Sequence, residues 1–208
     1  KEAPDNHFFH KVDFSLPEYS KDILEEIPEA FKGHWDENAY FSMGYRHMCR
    51  FFAGGLNKDK FFDNVKYLMR LDCDSYITDT LTADPFKIMS DNQAIYGYLG
   101  EEEDMDYVIE GLFDFAEKIA PTKQKLQYNK MYQTHFFIED CEWFREDPYK
   151  SYFNEIDKTG NIYIKRWGDA PIKYQGIMRL VPEKKLVKLD LPYKHGGDLD
   201  IYRDVNLN

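Results

Sequence analysis

Val65-Lys66-Tyr67-Leu68-Met69-Arg70-Leu71-Asp72-Cys73-Asp74-Ser75-Tyr76-Ile77 is a short, mostly apolar run that leads straight into two carboxylates one residue apart. The run reads as a strand. Residues i and i+2 of an extended segment point to the same side, so Asp72 and Asp74 present their charges together. Carboxylates held that close repel each other unless a cation sits between them. A hard divalent ion that prefers oxygen ligands, Mg²⁺ or Mn²⁺, fills that role, and such an ion commonly holds a diphosphate. The stretch is therefore a candidate site for a metal and a nucleotide-sugar. A solvated turn is the plain alternative, and the pair alone does not decide between them.

The chain has 208 residues, enough for one domain over 1–208 with a substantial core. It is rich in aromatics, with 16 Tyr and 16 Phe, and carries a formal net charge of −11. That balance argues against nucleic-acid binding, where a basic face supplies most of the affinity. It leaves an anionic nucleotide substrate open, because a divalent ion and a few placed arginines reverse the local field. Cys49, Cys73 and Cys141 are odd in number and lack metal-site spacing, which favours free thiols in a reducing compartment. No apolar run approaches the roughly 20 residues that span a bilayer, and the start carries no leader pattern. The chain as given reads as soluble, with any anchor or leader lying outside it.

Outward from the quoted stretch, strands and helices alternate. His7–Phe14 is a possible strand, and Glu18–Phe31 has the apolar spacing of an amphipathic helix that Gly33 stops. Ser42–Leu56 reads as a helix with Ser42 as its N-cap. Arg46 and Arg50 share a face of it; they are either solvated or bidentate partners for phosphate or metal-holding carboxylates. Asp84-Pro85 opens a short helix to Asn92. Ala94–Leu99 reads as a buried strand, Glu101-Glu102-Glu103-Asp104 as a solvated loop or helix start, and Met105–Ile119 as a helix. Gln133–Cys141 is apolar enough for a central strand. Glu142–Asp157 reads as a helix broken at Pro148, and Ile162–Ile164 as a short extended piece. A helix runs to about Leu180, Lys185–Leu189 is a last strand, and Tyr193–Asp198 is a glycine-bearing, mobile tail. The alternation indicates an α/β chain with a mostly parallel sheet flanked by helices.

Two motifs are long enough to be specific: Tyr45-Arg46-His47-Met48-Cys49-Arg50-Phe51-Phe52 and Arg166-Trp167-Gly168-Asp169-Ala170-Pro171. With the acid-x-acid pair between them, a Tyr-Asn…His-Phe segment and a late Tyr-x-His, the chain resembles the fungal α-1,2-mannosyltransferases (glycosyltransferase family fifteen). The resemblance runs from about His10 to His195. It implies a GT-A fold, a nucleotide-sugar donor (UDP-, GDP- or dTDP-linked) and a glycan or glycoprotein acceptor. It also implies a Mn²⁺ ion, with Mg²⁺ as an alternative, held by Asp72, Asp74 and His195. Tyr45, Arg46, Arg50 and Asp72 map onto the nucleotide-sugar site.

Three departures qualify what the resemblance implies. The upstream strand and helix that grip the base are reduced to a remnant. The family's anchor is absent from the chain, which also resembles soluble GT-A domains of large DNA viruses. The expected location is then the cytoplasm, the host's if the chain is viral, or the Golgi lumen if it is a domain of an anchored enzyme. The third departure is chemical: where the family has a proposed glutamate nucleophile, this chain has Phe137, and only a slip of two would recruit Glu139. That absence favours a single inverting displacement with Asp169, read as the helix N-cap, as the general base. A retaining transferase, a metal-dependent phosphohydrolase and a non-catalytic sugar-binding domain are the alternatives.

Overall fold

The computed structural model describes residues 8–17 and 42–196. The expected helix over 18–31 lies outside those residues, and 8–14 adopt no regular structure. α1 (Met43–Arg50) starts where Ser42 accepts a hydrogen bond from Tyr45 N. The chain then continues in a wider π-type turn through Phe51–Gly55 and a tighter 3₁₀ turn over Leu56–Lys58.

β1 (Tyr67–Leu71) and β2 (Ser75–Ile77) flank the acid pair. α2 (Pro85–Asp91) is capped by Asp84 with proline at its start, as the sequence indicates. β3 (Tyr96–Tyr98), β4 (Glu101–Glu103), α3 (Leu112–Ile119), β5 (Lys130–Tyr132) and β6 (Phe136–Asp140) follow. α4 (Cys141–Arg145) and α5 (Tyr149–Lys158) are the two pieces expected around Pro148. α6 (Asn161–Ile164), α7 (Asp169–Leu180), β7 (Leu186–Lys188) and β8 (Tyr193–His195) complete the described chain.

The central sheet has the order β1-β6-β3-β7. β3 and β7 are parallel, while β6 runs antiparallel to both β1 and β3. The sheet is therefore mixed, which corrects the expectation of a mostly parallel one. The cause is local. β4 and β5 pair as an antiparallel ribbon with Glu101 opposite Tyr132, so the chain leaves β3 and re-enters β6 at the same end of the sheet. The same ribbon corrects the reading of Glu101–Glu103 as a loop: all three side chains are exposed, and Glu101 pairs with Lys130 at 2.5 Å. Ile162–Ile164 is likewise helical, entered through Gly160 in the left-handed region (φ 70°).

β6 is buried on both faces. Phe136 and Ile138 pack with Met89 of α2 and Leu189, whereas Phe137 packs on the other side with α1 and α3–α7. Glu139 shares that second side and is fully buried. Its carboxylate accepts from Lys173 Nζ, in a close contact, and from Asn57 Nδ2 at 3.2 Å. Among the described residues no helix is long and apolar enough to cross a membrane.

Candidate active site

The acid pair does not lie on an extended run. β1 ends at Leu71, and Asp72-Cys73-Asp74 forms a turn in which Ser75 N donates to Asp72 O at 2.9 Å. The counter-charge comes from the strand itself. Arg70 donates through Nε to Asp72 Oδ1 (2.7 Å) and through Nη2 to Asp72 Oδ2 (3.2 Å). Its Nη1 donates to Asp169 Oδ2 at 2.8 Å, and its guanidinium lies 3.8 Å from the Phe52 ring centre. Burial works against the Arg70 charge, but Asp169 and Asp72 outweigh it and raise the pKa above its ordinary value.

β2 pairs with β8 so that Ser75 stands opposite His195. The expectation of a mobile tail is corrected as far as His195; Gly197 and Asp198 lie outside the described residues. Gly196, at φ 58°, takes the left-handed turn that glycine adopts without strain, and its N–H donates to Asp74 O at 3.0 Å. His195 Nδ1 lies 3.1 Å from Ser75 Oγ and 3.4 Å from Asp74 Oδ1. The His195 ring stacks on His135 at 4.0 Å and 12°. His135 Nδ1 is 2.6 Å from the Tyr193 hydroxyl, which is itself 2.6 Å from Ser75 Oγ. Burial, followed by the neighbouring His195, pushes the His135 imidazole down to about 4.

Arg70, Asp72, Asp74, His135 and His195 border one cleft of about 650 Å³, which Tyr45, Asp104, Arg166 and Asp169 also line. Arg166 stands in the left-handed region (φ 63°) and holds its guanidinium 4.8 Å from the Tyr45 ring centre. A non-glycine residue there is strained, and such strain concentrates at working sites. Burial pushes the Asp104 carboxyl above its ordinary range. Arg70, His135 and Arg166 were not singled out from sequence. Arg70 could have been, since a cation two residues before Asp72 stands within reach of its carboxylate.

Of the expected residues, Asp72, Asp74, His195, Tyr45 and Asp169 meet in this cleft. The other two turn elsewhere. Arg50 pairs bidentately with Asp157 at 2.7 and 2.8 Å, and the fully buried Arg46 donates to Tyr163 O. Burial, followed by the nearby Arg166, lowers the Arg46 pKa to about 10. Asp169 is the first residue of α7, not its cap: Gly168 holds the N-cap position, and the Asp169 carboxylate is taken up by Arg70. Phe137 is buried in the core and Glu139 is enclosed with Lys173, so neither reaches the cleft.

Among the described residues no three His, Cys, Asp or Glu side chains converge as a ready-made metal site. The donor chemistry nevertheless fits a divalent ion. Asp74 offers a carboxylate beside an imidazole, and Asp72 a carboxylate shared with Arg70. Mixed oxygen and imidazole ligation suits Mn²⁺.

The sequence model of the family described as "Glycolipid 2-alpha-mannosyltransferase" matches residues 29–204. Glycolipid 2-alpha-mannosyltransferase 2 of Candida albicans is 29% identical over 185 residues, covering 80% of this chain and 39% of that protein. Probable mannosyltransferase KTR2 of Saccharomyces cerevisiae is 29% identical over 216 residues, covering 88% of this chain and 50% of that protein. The chain thus spans half or less of the length of these relatives. Core-mannan synthase A of Aspergillus fumigatus, in its Mn/GDP form, superposes with a TM-score of 0.69 at 22% identity, over 86% of this chain and 52% of that one. The mannosyltransferase Ktr4p of S. cerevisiae in complex with GDP gives 0.66 at 21% identity, over 93% and 54%. The fold is the GT-A type that the sequence resemblance implies.

Proposed function

Because the chain belongs to the glycolipid 2-alpha-mannosyltransferase family, whose model covers residues 29–204, we propose that it transfers mannose from GDP-mannose to a hydroxyl of a glycan acceptor. The observation that carries the reading is the meeting of Asp72, Asp74 and His195 at one cleft, from strands far apart in sequence, beside Asp169 and Arg166 of the late motif. GDP and Mn²⁺ are the ligands named for a relative of the same fold. Asp74 and His195, with Asp72, would hold the ion. Bound there, Mn²⁺ would neutralise the leaving diphosphate as the sugar–phosphate bond breaks. The chain's own residues bind and orient. Arg70 fixes Asp72 against Asp169 at the start of α7, and Tyr45, stacked under Arg166, offers a face to the nucleotide.

The stereochemical course follows from which carboxylate can reach the sugar. A double displacement needs one beside the anomeric carbon, and both Phe137 and Glu139 are buried away from the cleft. Asp169 was the expected base of an inverting displacement, but its Oδ2 already accepts from Arg70 and the residue is buried. The relatives are named for α linkages, and an α product from the α-linked donor keeps configuration. We therefore favour net retention. The acceptor then enters on the face that the diphosphate leaves, a phosphate oxygen takes its proton, and Asp169 positions Arg70. Incubating the chain with GDP-mannose, Mn²⁺ and a methyl α-mannoside acceptor, and reading the product's anomeric signal by NMR, tests both levels. No product sinks the transferase reading. A β-linked product restores inversion with Asp169 as base.

A further inference from the structure

Resting on that reading of the cleft, we propose that the β4–β5 ribbon and the turn after β4 form its acceptor wall. Tyr107 and Met105 carry the acceptor's sugar ring, and Glu102 restricts the acceptor to uncharged sugars. The run Glu101-Glu102-Glu103 divides by strand parity. Glu101 and Glu103 share one face, and each has a partner: Lys130 for Glu101, and Gln127 Nε2 at 2.7 Å for Glu103. Glu102 points to the other face. It stands opposite Met131 of β5, and both line the cleft. Among the described residues no hydrogen bond or ion pair takes up its carboxylate.

The 3₁₀ turn Asp106–Val108 follows, and it presents Tyr107, 58% exposed, together with Met105, 48% exposed. The Tyr107 hydroxyl donates to Met105 Sδ at 3.0 Å, so the two side chains form one surface, and both line the cleft. The turn is held firmly. Val108 and Ile109 are buried, Asp106 accepts from the Tyr128 hydroxyl at 2.7 Å, and Asp104 N donates to Asn129 O at 2.9 Å. Large side chains left exposed at a concave site mark where a ligand settles. Charge decides which ligand. Asp104 lies in the fields of Arg166 and Asp169, whereas Asp74, the carboxylate offered to the ion, stands at His195. A diphosphate goes with the ion, because Glu102 and Asp104 repel it. A neutral sugar is not repelled: its hydroxyls donate to carboxylates, and the C–H face of its ring covers Tyr107 and Met105. An acceptor bearing its own phosphate meets both carboxylates and the donor's diphosphate at once, so the wall selects against it.

Transfer kinetics with GDP-mannose, Mn²⁺ and methyl α-mannoside test the platform. Tyr107→Ala should raise the acceptor KM by about fivefold or more, with kcat and the calorimetric GDP affinity within about twofold. Tyr107→Phe keeps the ring and should stay near the unaltered protein. An acceptor KM that Tyr107→Ala leaves unchanged, or a GDP affinity that falls as far as the acceptor's, overturns the platform. The charge is tested by comparing methyl α-mannoside with methyl α-mannoside 6-phosphate. Glu102→Gln should raise the relative kcat/KM of the phosphorylated acceptor by about threefold or more at low salt, and by less at high salt. A ratio that Glu102→Gln does not move overturns the selection. Product formation with an acceptor KM indifferent to Tyr107 sinks the platform and leaves the transferase reading standing. If the unaltered protein binds no GDP and makes no product, that reading falls and the acceptor wall with it.

Discussion

Lys173→Met isolates a fully buried ion pair beneath the sheet. Lys173 and Glu139 are both at 0% side-chain exposure. Glu139 has two donors, Lys173 and the neutral amide of Asn57. Methionine is unbranched and nearly fills the lysine stem, so little cavity forms; what is lost is the cation. Lys173 Nζ also lies 4.5 Å from the Phe144 ring centre and 4.8 Å from that of Phe137, contacts that go with it. A buried charge left with one neutral donor costs about 3–5 kcal/mol. For a domain of this size that is a fall in melting temperature of roughly 6–20 °C. Urea unfolding at constant m-value measures it. Adding Glu139→Gln should recover at least half of the loss, because the stranded charge disappears with it. GDP affinity of the folded fraction should not move, since neither residue borders the cleft. A loss below about 1 kcal/mol for Lys173→Met, or transfer abolished by Glu139→Gln in a stably folded protein, would refute this structural role and return Glu139 to the list of nucleophiles.

The other expectations concern the cleft and its neighbours. Asp74→Ala should abolish Mn²⁺-dependent GDP binding and leave stability within about 0.5 kcal/mol, because the side chain is largely exposed; calorimetry and thermal melts read the two effects separately. Arg50→Ala should cost about 1.5–3 kcal/mol of stability, because the buried Asp157 keeps only the longer contact to Lys58 at 3.9 Å. Its GDP affinity should stay within twofold, and a tenfold loss would put the arginine helix back at the donor. Mn²⁺ and GDP should each raise the other's affinity by the same factor, and tight Mn²⁺ binding that GDP does not alter would contradict the shared site.

What the sequence made legible was what local chemistry controls. The Asp84-Pro85 start, the break at Pro148, the apolar run of β6 and the Arg-Trp-Gly-Asp-Ala-Pro entry to α7 all stand close to where short-range signals put them. The errors are cases of tertiary override. Three glutamates in a row have no local reason to form a strand; the β5 backbone and Lys130 supply one. The tail reads as loose because Tyr193–His195 is too short to signal a strand, yet β2 pairs with it. Helical periodicity placed Arg46 and Arg50 on one face correctly but could not name the face's partner, which for Arg50 is Asp157, more than a hundred residues on. The same holds for the candidate site. Asp72 and Asp74 announce themselves, whereas the contacts among Ser75, Tyr193 and His135 depend on a strand pairing that no local pattern encodes.

The pairing of Asp72 with Arg70 changes what the acid-x-acid motif means here. From sequence, two adjacent carboxylates demand a cation from outside; in the fold, one of them already has a guanidinium, which it divides with Asp169. The cleft is still short of positive charge. Arg70 and Arg166 stand against Asp72, Asp74, Glu102, Asp104 and Asp169, a formal balance of −3 with the histidines neutral. A diphosphate approaching that surface is repelled, at a separation where the low-dielectric walls screen poorly. A divalent ion held on Asp74 and His195 would lower the deficit to −1 and weaken the repulsion that a diphosphate meets. Metal and donor must therefore assist each other's binding, and Arg70 sets how strongly. The more firmly it holds Asp72, the less of that carboxylate the ion receives, and the more the diphosphate has to supply the remaining ligands.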